Sequence, residues 1–156
     1  MLDDVVIDTN VLQHACDPRQ GHRSACLRLI DLMRVRNTLL CVDAASNPQR
    51  PLEGFIMTEY QENLAPGTPG RELLVFLLAN SRVIPRSRQV PRVVAKQLEQ
   101  LVHNKKDQKF VAVSYNSAEH VLASHDFRHF SSRVRRRVLN RISVEILDAV
   151  ECSDRL

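Results

Sequence analysis

Short apolar runs that alternate with helical patterns most constrain the fold of this chain. Val5-Val6-Ile7 and residues 39–42 are unbroken apolar stretches, which predict strands buried on both faces. Residues 83–84, 120–123 and 144–147 predict three more short strands. Strands that alternate with helices are typical of a parallel sheet with helices on both of its faces. We therefore predict an α/β fold of three layers around a central parallel sheet of four to five strands.

Length and composition indicate one domain spanning residues 1–156. The chain is 44% apolar and 26% charged, which suits one core and a hydrated surface. No apolar run approaches the roughly 18 residues of a membrane span, and Met1-Leu2-Asp3-Asp4 lacks the basic start of a secretory signal. We expect a cytoplasmic protein with no membrane partner. Its cysteines have no metal-binding spacing, so we expect them to be reduced and mostly core-facing: Cys16, Cys26, Cys41 and Cys152.

Acidic residues follow two of the predicted strands. Asp8 comes directly after Val5-Val6-Ile7, and Asp126 comes shortly after the strand at 120–123. The carboxyl ends of parallel strands meet at one edge of the sheet, where reactive groups collect. Carboxylates buried close together are unfavourable unless a cation compensates them, and Mg²⁺ takes oxygen ligands. The pattern therefore predicts a metal site at this edge.

Each acid also has a plainer interpretation. Asp8 and Asp126 could cap the helix or turn that follows them. Asp107 lies three residues after Asn104, a predicted N-cap, where acids favour a helix start. Glu59 could be an exposed helix acid. Taken singly, none of the four would establish a metal site.

Four sequence blocks, in order, resemble those of the PIN-domain nucleases. Val5-Val6-Ile7-Asp8-Thr9-Asn10 resembles their first strand and its acid, and Ile56-Met57-Thr58-Glu59-Tyr60 resembles the helix that carries the second acid. Asp107-Gln108-Lys109-Phe110 resembles the third block. Val121-Leu122-Ala123-Ser124-His125-Asp126 resembles the fourth, with Ser124 where Thr is frequent. The resemblance spans residues 5 to about 147.

The resemblance implies a PIN-like fold and a metal-dependent active site. One or two Mg²⁺ or Mn²⁺ ions would be held, directly or through water, by four catalytic acids: Asp8, Glu59, Asp107 and Asp126. The metal would activate water, and a carboxylate free of metal could accept its proton. Thr9, Asn10 and Ser124 would orient the carboxylates by hydrogen bonds. Asp43, at the end of the second strand, is a rival to Glu59 for a metal-facing role.

The implied activity is hydrolysis of phosphodiester bonds by an endonuclease, leaving a 5′-phosphate and a 3′-hydroxyl. Single-stranded RNA is favoured over DNA as the substrate. The resemblance also implies a homodimer, and it admits the toxin of a toxin–antitoxin pair, held silent by an antitoxin-type protein partner.

Basic residues are concentrated in the second half of the chain, which permits a polyanionic partner. Arg133, Arg137 and Arg141 recur every four residues on a predicted helix, and Arg135 and Arg136 lie between them. Such a stripe suits a phosphate track, although a hydrated charged face explains it equally well. Lys105, Lys106 and Lys109 flank Asp107 and are further candidates for binding nucleic acid.

Alternative functions are less well matched. A non-catalytic PIN-like module that binds nucleic acid or protein is disfavoured, because all four acids are present. A response-regulator or haloacid-dehalogenase-like protein would need a Lys after a late strand or an Asp-x-Asp start, and Asp8-Thr9-Asn10 lacks the second Asp.

Three aromatic rings follow the fourth block and could stack on bases: Phe127, His129 and Phe130. Core packing is favoured for the two phenylalanines.

Overall fold

A computed structural model describes residues 1–156 and contains one sheet of five strands, all parallel. The strands, in chain order, are β1 (Asp4–Ile7), β2 (Leu39–Asp43), β3 (Val83–Arg86), β4 (Val121–Ala123) and β5 (Glu145–Leu147). Their order across the sheet is β3-β2-β1-β4-β5. The predicted α/β class, parallel sheet and number of strands are confirmed.

Eight helices connect and follow the strands: α1 (Thr9–Cys16), α2 (Arg23–Val35), α3 (Phe55–Asn63), α4 (Pro69–Ala79), α5 (Arg92–Leu101), α6 (Lys105–Tyr115), α7 (Ser132–Ile142) and α8 (Ala149–Ser153). Helix α8 was not predicted from the sequence. Asp148 and Glu151 form its capping box, a pattern that is readable in the sequence. None of the eight helices combines the length and the apolar character that crossing a membrane requires.

The strand order places helices on both faces of the sheet. The chain runs outward from β1 to β2 and β3, then returns to the other side of β1 to form β4 and β5. Because parallel crossovers are right-handed, this change of direction puts the later helices on the opposite face. Accordingly, α1, α2 and α4 pack together, whereas α6 packs on β1, β2 and β4 and α5 packs on α7. The direction changes between β1 and β4, so a crevice opens beyond their carboxyl ends.

Helix α3 is fixed to the sheet at both of its ends. At its start, both carboxylate oxygens of Asp43 accept backbone N–H groups, from Phe55 at 2.9 Å and Ile56 at 2.6 Å. Gly54 is required there, because a Cβ would lie 2.3 Å from the Asp43 carbonyl oxygen. Towards its end, the buried Tyr60 hydroxyl donates to the Ile7 carbonyl. Asp43 therefore caps α3, a role that accounts for its carboxylate without a metal.

Asp4 joins β1 to the segment that precedes β4, at the amino edge of the sheet. Its carboxylate is buried and accepts the N–H groups of Ala118 at 2.8 Å and Glu119 at 3.0 Å. Burial alone would raise the pKa of Asp4. The two N–H groups, the Cys41 thiol and the Arg86 guanidinium outweigh burial, so the pKa lies below its ordinary value.

We predict that Asp4→Asn lowers the free energy of unfolding by about 2 kcal/mol at pH 7, because an amide NH₂ would replace one of the two accepting oxygens and face an N–H donor. A lowered pKa in the folded state stabilises the protein above the ordinary pKa, and that contribution is lost as the pH falls through the folded pKa. The difference between the variant and the wild type should therefore shrink below about pH 4. Urea unfolding at a series of pH values measures it. The exposed neighbour Asp3→Asn is the control, and a difference that does not change with pH would contradict the prediction.

Candidate metal centre

Asp8 leaves the carboxyl end of β1 and is held from two directions. Its Oδ2 accepts a hydrogen bond from Asn10 Nδ2 at 2.8 Å and another from Ser124 Oγ at 2.8 Å. The side chain makes no capping bond to α1, so the plainer interpretation of Asp8 is excluded. The carboxylate thus has a fixed orientation at the crevice, and only 6% of the residue is exposed.

Asn10 and Ser124 join the segments that follow β1 and β4. Asn10 Oδ1 accepts the His125 N–H at 2.9 Å, and Ser124 Oγ accepts the Asp126 N–H at 3.1 Å. Asn10 therefore contacts Asp8 with Nδ2 and the loop after β4 with Oδ1, whereas Ser124 makes both of its contacts through Oγ. The Thr9 hydroxyl is buried and makes no hydrogen bond, so its predicted orienting role has no contact to support it.

Asp107 stands in the first turn of α6 without serving as its cap. Asn104 Oδ1 accepts the N–H groups of Lys106 at 2.9 Å and Asp107 at 3.3 Å, as the predicted N-cap should. The Asp107 side chain is therefore free to face the crevice, and 7% of the residue is exposed. Its buried Oδ2 lies 3.1 Å from His129 Nδ1 but makes no well-directed hydrogen bond to any group. A buried carboxylate oxygen without a well-directed hydrogen bond is costly, and a divalent cation would compensate its charge.

Asp126 lies opposite Asp107 and is engaged by one residue, His129. Its Oδ1 accepts the His129 N–H at 3.0 Å, and its Oδ2 lies 2.6 Å from His129 Nδ1. Asp126 therefore does cap the turn that follows it, as the plainer interpretation held. It also joins a compact group, because one donor atom each from Asp107, Asp126 and His129 lie within 4.8 Å of one another.

Glu59 stands at the rim of this group. Its Oε1 lies 3.0 Å from Lys106 Nζ, one residue before Asp107. The compact group does not include Glu59 or Asp8. The structure thus brings Asp107 and Asp126 together, places Asp8 beside them, and leaves Glu59 in an ion pair at the edge.

Electrostatic crowding is visible in the two most buried acids of the crevice. Burial, with repulsion from Asp107 and Asp126, raises the pKa of Asp8 to about 6, despite the hydrogen bonds from Ser124 and Asn10. Burial and repulsion from Asp126 raise the pKa of Asp107 to about 6, although His129 opposes the shift. Three oxygen-donor acids that repel one another, one of them unpartnered, fit a hard divalent cation such as Mg²⁺ or Mn²⁺.

The basic residues near the crevice differ in how far their side chains are exposed to solvent. Arg133, Arg136, Arg137 and Arg141 are exposed on α7 and form no ion pair. Arg135 differs, because its guanidinium donates to the Phe130 carbonyl at 3.0 Å and to the Ser124 carbonyl at 3.2 Å. It is committed to holding the loop after β4. Lys109 Nζ lies over the Phe55 ring, 3.8 Å from the centroid.

A cavity of about 650 Å³ lies beside α6. Lys105, Lys109 and Arg88 contribute to its polar lining, and Ala95 and Leu98 to its apolar lining. Phe130 is fully buried, as core packing predicted. Phe127 is 44% exposed and packs against His22 and His125.

From the sequence, His129 was predicted only as a candidate for base stacking. Its contact with both Asp107 and Asp126 depends on how the loop after β4 folds against α6. The available signal is local: His129 lies three residues after Asp126, a spacing that lets the acid cap a turn and meet the histidine ring.

The chain was compared with protein-family models, curated proteins and solved structures, and none of the three comparisons found a match.

In the metal-free protein, Asp107→Asn should raise the free energy of unfolding by about 2 kcal/mol at pH 8. A raised pKa means that the folded state binds the proton more tightly than the unfolded chain, so the ionised carboxylate is destabilising above about pH 6. The gain should therefore shrink below about pH 6 and vanish as the pH falls towards 4, the ordinary pKa of the carboxyl in the unfolded chain. Urea unfolding in EDTA measures it, with the exposed Asp31→Asn as the control. Lower stability of the variant at pH 8 would show that Asp107 has a structural role instead.

Proposed function

We propose that this chain is a metal-dependent nuclease that hydrolyses phosphodiester bonds in single-stranded nucleic acid, with RNA favoured over DNA. The observation that carries the proposal is the convergence of Asp8, Asp107 and Asp126, from three distant segments, on one crevice where an Asp107 oxygen is buried without a partner. The resemblance of four sequence blocks to PIN-domain nucleases supports the same class of enzyme.

The carboxylates would hold the metal and orient the substrate around it. Asp107 and Asp126 supply the closest pair of acids, and Asp8, held by Asn10 and Ser124, adds a third. When bound, Mg²⁺ or Mn²⁺ lowers the pKa of a water molecule and neutralises charge that develops on the phosphate. Glu59 holds the Lys106 ammonium at the rim, where it can attract a phosphate oxygen.

Recessed carboxylates favour a single strand. Asp8 and Asp107 are more than nine-tenths buried, so the scissile phosphate must enter the crevice to reach them. A flexible single strand can bend its backbone inward more easily than a duplex, and its bases are free to occupy neighbouring pockets. The cavity beside α6 offers such a pocket, with cationic and apolar walls.

The exposed arginines of α7 supply a second contact surface. Arg133, Arg137 and Arg141 lie on one face of the helix and have no acidic partner. We assign this face and the lysines at the start of α6 to the substrate backbone. The 5′-phosphate product, the homodimer and the pairing with an antitoxin stay predictions of the family resemblance.

Purified protein should cleave labelled single-stranded RNA in Mn²⁺ or Mg²⁺ and should lose the activity in EDTA. Asp107→Asn and Asp8→Asn should each lower the rate by at least about 100-fold, because each removes charge that holds the metal. Asp31→Asn, on the surface of α2, is the matched control. Product ends are assigned by phosphatase treatment followed by re-labelling.

Cleavage that persists in EDTA or in Asp107→Asn would overturn the metal-dependent mechanism. Binding of RNA without cleavage under every metal condition would favour the non-catalytic binding module. Cleavage of single-stranded DNA at an equal rate would agree with the metal-dependent hydrolysis but would contradict the preference for RNA.

Substituting Arg133 and Arg137 with Ala should weaken binding of single-stranded RNA to the uncleaving Asp107→Asn protein. The slope of log affinity against log salt should fall by about 1.4, because two phosphate contacts are lost. Arg34 and Arg36, exposed at the opposite end of the sheet, provide a control pair with the same change in charge. Equal effects from the two pairs would show that net charge, rather than a track on α7, governs binding.

A further inference from the structure

Two compact groups of potential metal ligands occur in the fold. One contains Asp107, Asp126 and His129 at the crevice, and the other contains His14, Cys26 and His125 between α1 and α2. Whether a histidine can ligate depends on which ring nitrogen must carry its proton. The two groups differ in this respect.

In His125, the ring nitrogen that faces the other two residues carries the proton and cannot bind a metal. His125 Nε2 accepts the Ala149 N–H at 2.9 Å, so the proton of the neutral ring sits on Nδ1, the atom that faces the other two residues. Nδ1 lies 3.2 Å from His14 Nδ1 and 3.6 Å from Cys26 Sγ. Burial raises the pKa of the Cys26 thiol to about 12, so it stays protonated. This group is therefore a buried polar contact that packs α1, α2 and the loop after β4 together.

We propose that His129 binds the metal through Nδ1 and that this nitrogen shifts the preference of the centre from Mg²⁺ towards Mn²⁺. The inference rests on the proposed function, since it concerns the same centre. The ligand set predicted from the sequence contained only carboxylates. The proposal adds a nitrogen ligand to it and, with that ligand, a preference between the two metals.

The positions of the donor atoms support a ligand role. His129 Nδ1 lies 2.6 Å from Asp126 Oδ2 and 3.1 Å from Asp107 Oδ2. One N–H can form a good hydrogen bond to only one of these oxygens, and Asp107 Oδ2 is the one left without a bond. A divalent cation would satisfy both oxygens together. Neighbouring ligands around a six-coordinate ion lie about 3 Å apart, a spacing these atoms already approach.

The second ring nitrogen is free to take the proton. His129 Nε2 makes no hydrogen bond within the protein, and 39% of the side chain is exposed to solvent. Nδ1 can therefore be unprotonated while Nε2 carries the hydrogen and faces water. His125 lacks this option because of the Ala149 N–H.

The backbone holds the ring at the centre. The His129 N–H donates to Asp126 Oδ1, and the N–H of the fully buried Phe130 donates to the Asp126 carbonyl at 2.8 Å. The turn thus presents the imidazole and a carboxylate on the same side. Imidazole is a softer donor than a carboxylate and suits transition ions, whereas Mg²⁺ favours oxygen ligands.

Binding of Mn²⁺ to the full chain, followed by electron paramagnetic resonance without substrate, tests the proposal independently of activity. The bound ion should show coupling to a ¹⁴N nucleus, and His129→Ala should abolish that coupling. The variant should weaken Mn²⁺ binding by about tenfold or more, but Mg²⁺ binding, measured by competition, by less than about threefold. His103→Ala, at an exposed histidine between α5 and α6, should change none of these.

Bound Mn²⁺ without ¹⁴N coupling in the wild type would overturn the proposal, whether or not His129→Ala folds. Equal loss of Mn²⁺ and Mg²⁺ affinity in His129→Ala would also overturn it, as would loss of the coupling in His103→Ala. None of these results would affect the proposed nuclease, which needs only the carboxylates. If the wild type binds neither ion, both proposals fail.

Discussion

Repulsion between carboxylates at the carboxyl ends of β1 and β4 is the constraint around which the crevice is built. Asp107 and Asp126 both help to raise the pKa of Asp8, and Asp126 helps to raise the pKa of Asp107. The supporting polar groups arrange the three acids without removing their charge. Ser124 and Asn10 orient Asp8, and Asn104 rather than Asp107 caps α6.

The two other buried carboxylates of the protein have hydrogen-bond partners on both of their oxygens, which makes the crevice stand out. Asp43 has both oxygens on the start of α3, and Asp4 has its oxygens on the segment before β4. Arg135 is bound to the carbonyl groups of Phe130 and Ser124. These contacts fasten the loops to the sheet. The scaffold can therefore hold a destabilising group such as Asp107 in place, because its cost is offset by stabilising bonds at other points.

Much of the fold could be predicted from local pattern, because strands buried on both faces leave unbroken apolar runs such as Val5-Val6-Ile7. The strand-end positions of Asp8 and Asp126 followed from the same alternation. The roles of Asp43 and Arg135 could not be predicted in this way. Asp43 differs from Asp8 only in what packs beyond its strand, and Arg135 differs from Arg137 only in the neighbours that α7 meets. His129 was missed as a contact of the acids because its partner on α6 is distant in sequence.

The anchoring of α3 at both ends has a practical consequence for the connection that precedes it. Asp43 and Gly54 are in direct contact, so the ten residues between them form a loop whose two ends are held together. Residues 47–50 lie at its outer part and are fully on the surface. An epitope tag or a fluorophore inserted there would lengthen the loop without moving Glu59. Exposed loop tips whose ends are held together tolerate insertions readily.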